Sequence, residues 1–179
     1  RFTCTLYYIA AGIRGTVSLA WPHITMFVKV GVSDIDGVMR GKYMSRSKFL
    51  SALDKGFGFC DVVLGWDVKD QLYDNTSFTG WHTGYPDAQV RLVPESLRFL
   101  PWEDGVPFFL GEFVTGDGGP LPICPRQVLK RVVQYGQSLG LTAKFGLEFE
   151  WFNFQQTPDT LAEKGFTGLK PLTPGMFGY

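Results

Sequence analysis

Two glutamates spaced two residues apart are the side chains of this chain best placed to do chemistry. Glu148 and Glu150 lie in the run KFGLEFEWFNF, where they alternate with apolar and aromatic residues. On a β-strand both carboxylates would lie on one face, about 7 Å apart, and Leu147, Phe149 and Trp151 would lie on the other. Carboxylates this close repel each other unless water, a basic side chain or a metal ion compensates, and their hard oxygen atoms suit Mg²⁺ or Mn²⁺. The same spacing also fits a half-buried strand with a solvated acidic face.

The composition is that of a chain that can bury a core but carries no concentrated charge. Its 179 residues are 45% hydrophobic and 16% aromatic, which suits one domain or two small ones. Lys and Arg together number 17, as do Asp and Glu, and no basic block is present, so nucleic acid is not expected as a partner. The apolar runs are far shorter than the roughly 18 residues of a membrane span, so no membrane segment is expected.

The cysteines indicate the compartment. Cys4, Cys60 and Cys124 are far apart, odd in number and outside any CxxC pattern. This spacing argues against a disulfide framework and against a zinc site. We therefore expect a reducing, cytoplasmic environment.

A β-hairpin is predicted near the start of the readable pattern. Apolar residues alternate from residue 24 to 33, Asp36-Gly37 is a dipeptide favoured in hairpin loops, and alternation resumes from residue 38 to 44. Arg40 and Lys42 share one face of the second strand. On base rates we expect both to be solvated.

A helix and further strands are predicted after the hairpin. Ser47 can cap a short helix and Gly56 can end it. Strands are then predicted at residues 59–66, 88–93 and 106–114. The polar segment from Asp67 to Asp87 has no sustained period and predicts a long loop, of a length that is usually functional or disordered. Three aromatic residues in this loop favour order.

A Gly/Pro-rich stretch, TGDGGPLP, predicts a domain boundary near residue 116. Pro125 suits the first turn of the helix that follows, and Gly140 suits its end. The acidic strand, residues 144–154, would come next. Residues 1–23 have no clean pattern and are left unassigned, as a leader or a fragment edge.

Four stretches carry more information in their order than each does alone. They are DIDGVMRGKY at 34–43, GYPDAQVRLVPESLRFLPWEDG at 84–105, CPRQVLKRVVQYGQSLGL at 124–141 and FGLEFEWF at 145–152. In this order they resemble the first part of glutamine synthetase. The resemblance implies an α+β protein, with a β-grasp-like N-terminal domain at residues 24–116 and the truncated start of an α/β catalytic domain at residues 117–179.

The resemblance also implies an activity. Members of this family are ATP-dependent carboxylate-amine ligases, so the full-length protein would make glutamine from glutamate, ammonia and ATP through a γ-glutamyl phosphate. Glu148 and Glu150 stand at the positions of two metal ligands, which implies Mg²⁺ or Mn²⁺ as cofactor. The family forms homo-oligomers whose active sites lie between subunits.

The long loop corresponds to one that meets the neighbouring subunit's active site in this family. In YDNTSFTGW the resemblance implies that Asp74 binds ammonium or an amine and accepts its proton, and that Ser77 and Trp81 help to bind substrate. The usual Asp-Gly-Ser-Ser core reads DNTS here, so Asp67 is a rival for the aspartate position. Without the resemblance, an Asx-turn would be the simpler interpretation of Asp74.

Two departures from the family pattern keep alternatives open. The TSFTGWHTGY segment differs from the common form, which is compatible with a γ-glutamyl ligase for a larger amine such as a polyamine. The chain ends before the family's later metal motif, ATP-binding segment and substrate-binding arginines, so we expect this polypeptide alone to be inactive. A non-catalytic structural relative is the third possibility, although it would have no reason to keep like charges at Glu148 and Glu150.

Overall fold

The computed structural model describes residues 3–10, 13–20, 27–173 and 175, with the backbone alone for residues up to 20. The chain divides into two compact units, residues 1–141 and 142–179. The domain boundary near residue 116 rests on Gly and Pro content, not on contacts, and stays a prediction. No helix in the described part of the chain combines the length and apolar character needed to cross a bilayer.

The stretch left unassigned near the start contains an antiparallel hairpin. β1 (Thr3–Ala10) pairs with β2 (Ile13–Ala20) along its whole length. Periodicity reports burial of one face, whereas the hydrogen bonds between strands define a sheet, so a stretch without a period can still pair. The expected start of the next strand, residues 24–26, lies outside the described residues.

A five-stranded curled sheet forms the body of the first unit. Its strands are β3 (Phe27–Ser33), β4 (Met39–Ser45), β5 (Phe57–Cys60), β6 (Asp87–Leu100) and β7 (Val106–Phe113). They lie in the order β4-β3-β7-β6-β5, with β3 parallel to β7 and the other neighbouring pairs antiparallel. A hairpin, a helix and a returning strand parallel to the first make a β-grasp-like unit, so the predicted α+β class is confirmed.

The core of this unit lies between the sheet and α1 (Arg46–Lys55). Alternation along β3 buries Val28, Val30 and Val32, while Phe49 of the helix packs with its ring centre 4.8 Å from that of Phe109. Deleting a buried aromatic side chain such as Phe49 costs about 3–5 kcal/mol. The predicted hairpin and helix therefore supply one side of this core, and the rest comes from β5 to β7 and the segments that connect them.

The ends of α1 confirm one prediction and correct another. Gly56 ends the helix with φ 70°, and its amide donates to the carbonyl of Ala52 at 2.9 Å. The capping residue is Ser45, whose Oγ accepts from the amide of Lys48, so the predicted cap at Ser47 is wrong. The side chain of an N-cap residue accepts from an amide two or three positions later, and Ser45 stands at that distance from the first free amides.

Lys42 shows how far the sheet curls. β4 and β5 are the two edges of the strand order, yet Nζ of Lys42 donates to the carbonyl of Gly58 at 3.0 Å. The same ammonium stands 5.1 Å from the ring centres of both Phe57 and Phe59. Burial lowers the pKa of Lys42. The expectation that Lys42 is a solvated hairpin residue is therefore wrong.

The strand predicted at residues 59–66 is shorter and earlier than expected. β5 ends at Cys60, and a 3₁₀ turn follows at Asp61–Leu64. Asp61, Val63 and Leu64 are all buried, which a turn permits but an alternating strand on one sheet face does not. A short apolar run cannot by itself distinguish the two.

The helix predicted after the linker is present as α2 (Pro125–Ser138), with Gly140 beyond its end at φ 75°. The strand predicted at residues 144–154 is not formed. Residues 141–153 have neither helix nor strand, and Phe154 makes a single bridge to Pro171. A strand needs a partner for its backbone groups, and none of the described strands pairs with this segment.

The apolar side chains of that segment are exposed as a consequence. Leu147, Phe149 and Trp151 are 85%, 77% and 73% exposed. These side chains therefore have few partners among the described residues, as expected. The second unit also contains a short helix that the sequence did not predict, α3 (Pro158–Glu163), which Thr157 caps by accepting from the amide of Thr160 at 3.2 Å.

Candidate active site

The long loop, residues 65–86, begins with a small hairpin. Trp66 and Leu72 form an isolated β-bridge, and the amide of Tyr73 donates to the carbonyl of Gly65 at 2.9 Å. These bonds close the chain on itself just before Asp74. The loop is thus ordered by backbone pairing, as its aromatic content led us to expect.

A buried hydrogen bond fixes the second half of the loop. Oγ1 of Thr79 donates to Oδ1 of Asp61 at 2.5 Å, and both residues are buried. The amide of Asp61 also donates to the carbonyl of Pro86 at 3.0 Å. A Cβ atom at Gly65 would lie 2.6 Å from the methyl group of Thr79, so this close approach requires glycine there. Asp61 therefore holds the loop through its side chain and its backbone.

A second buried carboxylate lies under the first half of the loop. Asp34 is fully buried, and its Oδ1 accepts from the amides of Asp36 and Val38 at 3.0 and 2.7 Å. Its Oδ2 accepts from Nε of Arg40 at 2.8 Å. A buried charge is tolerated only when it is paired and hydrogen-bonded, and these contacts meet that condition.

Arg40 extends from this buried carboxylate to the loop. Its Nη2 lies 3.0 Å from Oδ1 of Asp70, and its guanidinium carbon stands 5.1 Å from the ring centre of Trp66. The hydrogen bond to Asp34 is the main reason that the pKa of Arg40 is raised. The expectation that Arg40 is a solvated hairpin residue is wrong, because a single hairpin pattern cannot show that a loop folds over it.

The structure separates the two aspartates that compete for the functional position in the loop. Oδ1 of Asp67 accepts from the amides of Lys69 and Gln71 at 2.8 and 3.0 Å, so this carboxylate stabilises its own turn. Asp74 is exposed and has no hydrogen-bond or ion-pair partner among the described residues. Of the two, Asp74 is the carboxylate left available for a ligand.

Ser77 and Trp81 lie on the same loop as Asp74. Trp81 is 82% exposed and makes an edge-to-face contact with Tyr85, with ring centres 5.3 Å apart. Ser77 is exposed, and its carbonyl lies 3.2 Å from Nε2 of His82. The three predicted loop residues therefore share one exposed surface element, while the anchors of that element are buried.

Carboxylates lie close to Tyr73, at the base of the loop. Burial raises the pKa of Tyr73, and the charges of Asp36, Asp67 and Asp34 raise it further. Carboxylates that disfavour a new negative charge favour a positive one. This part of the loop, next to Asp74, suits a cationic ligand.

Glu148 and Glu150 lie in the irregular segment 142–153 of the second unit. Both are exposed, and neither has a hydrogen-bond or ion-pair partner in the described residues. No group of three or more His, Cys, Asp and Glu side chains that could hold a metal ion is found among those residues. Two carboxylates still fit Mg²⁺, which commonly binds one or two carboxylates and completes its shell with water and substrate phosphates.

A polar cleft of about 500 Å³ lies elsewhere in the second unit. Thr157, Glu163 and Lys170 are among its lining residues, and none of the predicted site residues is. The cleft therefore gives no support to a ligand at Glu148 and Glu150.

The sequence missed the residues that position the loop. Asp34 had a usable signal, because an aspartate that opens a DIDG turn commonly accepts the following amides. Arg40 had none, because its contacts with the loop are distant in sequence. Asp61 and Thr79 had none, since they are 18 residues apart and neither belongs to a motif. Only the folded chain brings that pair together.

Known proteins resemble this chain in sequence and in fold. The glutamine synthetase catalytic domain, as a family, matches residues 122–174. Type-1 glutamine synthetase 2 of Dictyostelium discoideum is 50% identical over 153 residues, covering 86% of this chain and 29% of that protein. Glutamate–isopropylamine ligase of a Pseudomonas species is 32% identical over 149 residues, covering 81% of this chain and 32% of that protein.

Two further comparisons agree. Gamma-glutamylethanolamide synthetase of Streptomyces coelicolor is 31% identical over 164 residues, covering 91% of this chain and 33% of that protein. The crystal structure of a novel glutamine synthase homolog has a TM-score of 0.53 at 18% identity, covering 82% of this chain and 37% of the other, which shows a shared fold. The chain spans 29% to 33% of the length of these sequence relatives. By its sequence, over the part of these relatives that it spans, the chain belongs to the glutamine synthetase family.

Proposed function

We propose that the full-length protein is an ATP-dependent ligase that joins ammonia to the side-chain carboxylate of glutamate. The observation that carries the proposal is the pair of carboxylates at Glu148 and Glu150. They lie inside the segment that matches the catalytic domain, and no basic side chain of the described residues pairs with them. Exposed carboxylates without a basic partner are free to bind a divalent cation through their oxygen atoms.

Glu148 and Glu150 would hold Mg²⁺ or Mn²⁺. When bound, the ion supplies charge neutralisation for the phosphates of ATP during phosphoryl transfer. The two glutamates serve this role by keeping their charge unpaired. We propose that the remaining ligands come from water, from nucleotide phosphates and from residues outside the described part of the chain.

The reaction would proceed in two steps. The terminal phosphoryl group of ATP passes to the side-chain carboxylate of glutamate, giving ADP and γ-glutamyl phosphate. The amine nitrogen then attacks the carbonyl carbon, a C–N bond forms, and the C–O bond to phosphate breaks. Asp74 would bind the ammonium ion and accept the proton that its nitrogen must lose before it can attack.

The position of the loop supports this role for Asp74 and suggests an oligomer. Asp74 is exposed and has no partner among the described residues, while its loop is anchored below. An exposed carboxylate on a fixed loop can complete a site on another subunit, as the family resemblance implies. We therefore propose a homo-oligomer in which Asp74, Ser77 and Trp81 face a neighbouring active site.

A larger amine is the alternative acceptor. Two of the relatives above are named for isopropylamine and ethanolamide chemistry. Trp81 supports this alternative, since an indole that is 82% exposed offers apolar surface to an alkyl amine. Ammonia remains the first choice, because the relative with 50% identity is named as a glutamine synthetase.

The test is an assay of the full-length protein with ATP, Mg²⁺ and glutamate. Phosphate release is compared with ammonium, putrescine and ethanolamine as the acceptor. We expect the highest kcat/KM with ammonium, and a preference for either larger amine would replace ammonia as the acceptor. Absence of amine-dependent phosphate release with all three would reject the ligase.

The role of Asp74 is tested separately. Asp74→Asn removes the charge that would attract ammonium, so the KM for the amine should rise at least about tenfold, since a hydrogen bond to a charged group is worth about 1.5–3 kcal/mol. The loss of the proton acceptor should also lower kcat, by about 10²–10⁴. Asp104→Asn is the matched control, because Asp104 is also exposed and without a partner among the described residues. Equal KM values for the two variants would reject the proposed role of Asp74 in binding the amine.

A further inference from the structure

One arginine joins the sheet to the small hairpin that precedes Asp74. Arg40 on β4 donates to buried Asp34 at 2.8 Å and places a second guanidinium nitrogen 3.0 Å from Asp70. The planar guanidinium group reaches two carboxylates at once. Its Nε donates a hydrogen bond to Asp34, while the contact of Nη2 with Asp70 is an ion pair without hydrogen-bond alignment. Arg40 thus connects a fixed point of the core to the hairpin at residues 66–72.

The hairpin has little apolar packing of its own. Trp66, at its start, packs against the core, but Val68 is 57% exposed, and no residue between 67 and 78 belongs to the buried hydrophobic core. Its other polar contact with the sheet region is the amide of Val68, which donates to Oδ2 of Asp36 at 3.0 Å. Beyond Trp66, the position of the hairpin therefore depends on polar contacts, of which the ion pair of Arg40 with Asp70 is the charged one.

We propose that Arg40 and Asp70 are positioning residues for Asp74. Their ion pair holds the hairpin against β4, and the bond from the amide of Tyr73 to the carbonyl of Gly65 transmits that position to the next residue, Asp74. The carboxylate of Asp74 is thereby presented to the amine at a fixed place. This role rests on the proposed function, because it affects a rate only if Asp74 binds the amine.

Asp70 is the better of the two residues to change. Replacing Arg40 would leave Asp34 as an unpaired charge in the core, and the protein would then lose stability for an unrelated reason. The side chain of Asp70 is 56% exposed, and its φ of 60° is one that asparagine tolerates. Asp70→Asn therefore opens the ion pair and leaves the contact between Arg40 and Asp34 in place.

Asp104→Asn is again the matched control. Asp104 is an exposed aspartate with φ 51°, and it makes no ion pair among the described residues. The full-length enzyme is examined by hydrogen exchange at the amide of Tyr73 and by steady-state kinetics with ammonium, ATP and glutamate. The exchange measurement reports on the hairpin whether or not the enzyme is active.

We expect Asp70→Asn to speed exchange at Tyr73 and to raise the KM for ammonium by about two- to fivefold, the range for an exposed ion pair. The KM values for ATP and glutamate should stay at the wild-type level, and Asp104→Asn should change nothing. A wild-type rate of hydrogen exchange at Tyr73 in Asp70→Asn would show that the ion pair does not hold the hairpin, and would reject the proposal. Faster exchange with an unchanged KM for ammonium would show a purely structural contact and would also reject the proposal.

The two possible failures are distinguishable. A wild-type KM for ammonium in Asp74→Asn rejects the role of Asp74 in the proposed function, whatever Asp70→Asn does. A normal exchange rate at Tyr73 in Asp70→Asn rejects the positioning role, even if Asp74→Asn is defective. Measuring both variants in one preparation series therefore decides each claim by itself.

Discussion

The two regions that carry candidate site carboxylates are built in opposite ways. The loop that carries Asp74 is exposed at its tip but held from below by two buried carboxylates, Asp34 and Asp61. The segment that carries Glu148 and Glu150 has no strand partner among the described residues, and its apolar side chains are exposed. The loop is therefore held in place by contacts inside its own unit. The acidic segment still needs a neighbouring strand to order it.

This contrast shows what an alternating pattern means. Alternation states which side chains would share a face, but the face exists only when a neighbouring strand takes up the backbone hydrogen bonds. The loop has no alternation and is nevertheless fixed, because side-chain and backbone hydrogen bonds replace the ladder. An alternating sequence and a fixed backbone are thus separate properties in this chain.

The largest effect should come from the acidic segment. Glu150→Gln removes a proposed metal ligand, and groups that only support ligands are already worth about 10–100-fold, so activity of the full-length protein should fall at least about 100-fold. Stability should be unchanged because the side chain is exposed. Steady-state rates and Mn²⁺ titration measure the two effects.

Glu163→Gln is the control for that experiment. Glu163 is an exposed glutamate of the same unit, and no metal-binding role is proposed for it. Wild-type activity in Glu150→Gln would show that Glu150 is not a metal ligand. The acidic segment would then have no proposed function to compare with that of the loop.

Substitutions at the anchors of the loop should lower the free energy of unfolding. Thr79→Val removes the donor that satisfies buried Asp61, and leaving a buried acceptor unpaired costs about 1–3 kcal/mol. Thr83→Val should cost less, because Thr83 is exposed and water can replace its bonds. Denaturant unfolding of both variants measures the difference, and equal costs would mean that the buried anchor does not stabilise the loop.

The exposed apolar face should govern association of the 179-residue chain alone. Changing both Leu147 and Phe149 to Ser should reduce self-association in sedimentation experiments without lowering stability, because neither side chain is buried. Trp102→Ser, at a site in the first unit that is 77% exposed, should reduce it less. The unchanged chain should also lack ligase activity, and an active, monodisperse monomer would contradict both expectations.

The smallest effect concerns a half-buried carboxylate that is paired. Glu103 accepts from Lys29 and from the hydroxyl of Tyr43 at 2.5 and 2.6 Å, and these bonds lower the pKa of Glu103 below its usual value. A depressed pKa in the folded state contributes stability above the unfolded pKa and loses it as the pH falls through the folded pKa. The stability difference between the wild type and Glu103→Gln should therefore be small near neutral pH and vanish in acid. A difference that grew as the pH fell would contradict the assignment.

The sequence predicted the local elements better than their partners. The hairpin at Asp36-Gly37, the end of α1 at Gly56 and the start of α2 at Pro125 are confirmed, since each depends on a turn or cap residue acting within a few positions. The strand at residues 144–154 and the solvated state of Arg40 and Lys42 were wrong, since both depend on what lies across a sheet or under a loop. The roles of the candidate site residues stay predictions.

By itself, the sequence determined the family, the α+β class and the presence of three candidate carboxylates, because these follow from residue types, spacing and motif order. Only the tertiary structure decided that Asp67 stabilises its own turn while Asp74 is left unpaired. It also decided that Arg40 connects Asp34 to Asp70, and that the acidic segment does not form a strand with any described part of the chain. The physical reason is that a hydrogen bond or ion pair between distant residues depends on distance in space, which a one-dimensional pattern does not contain.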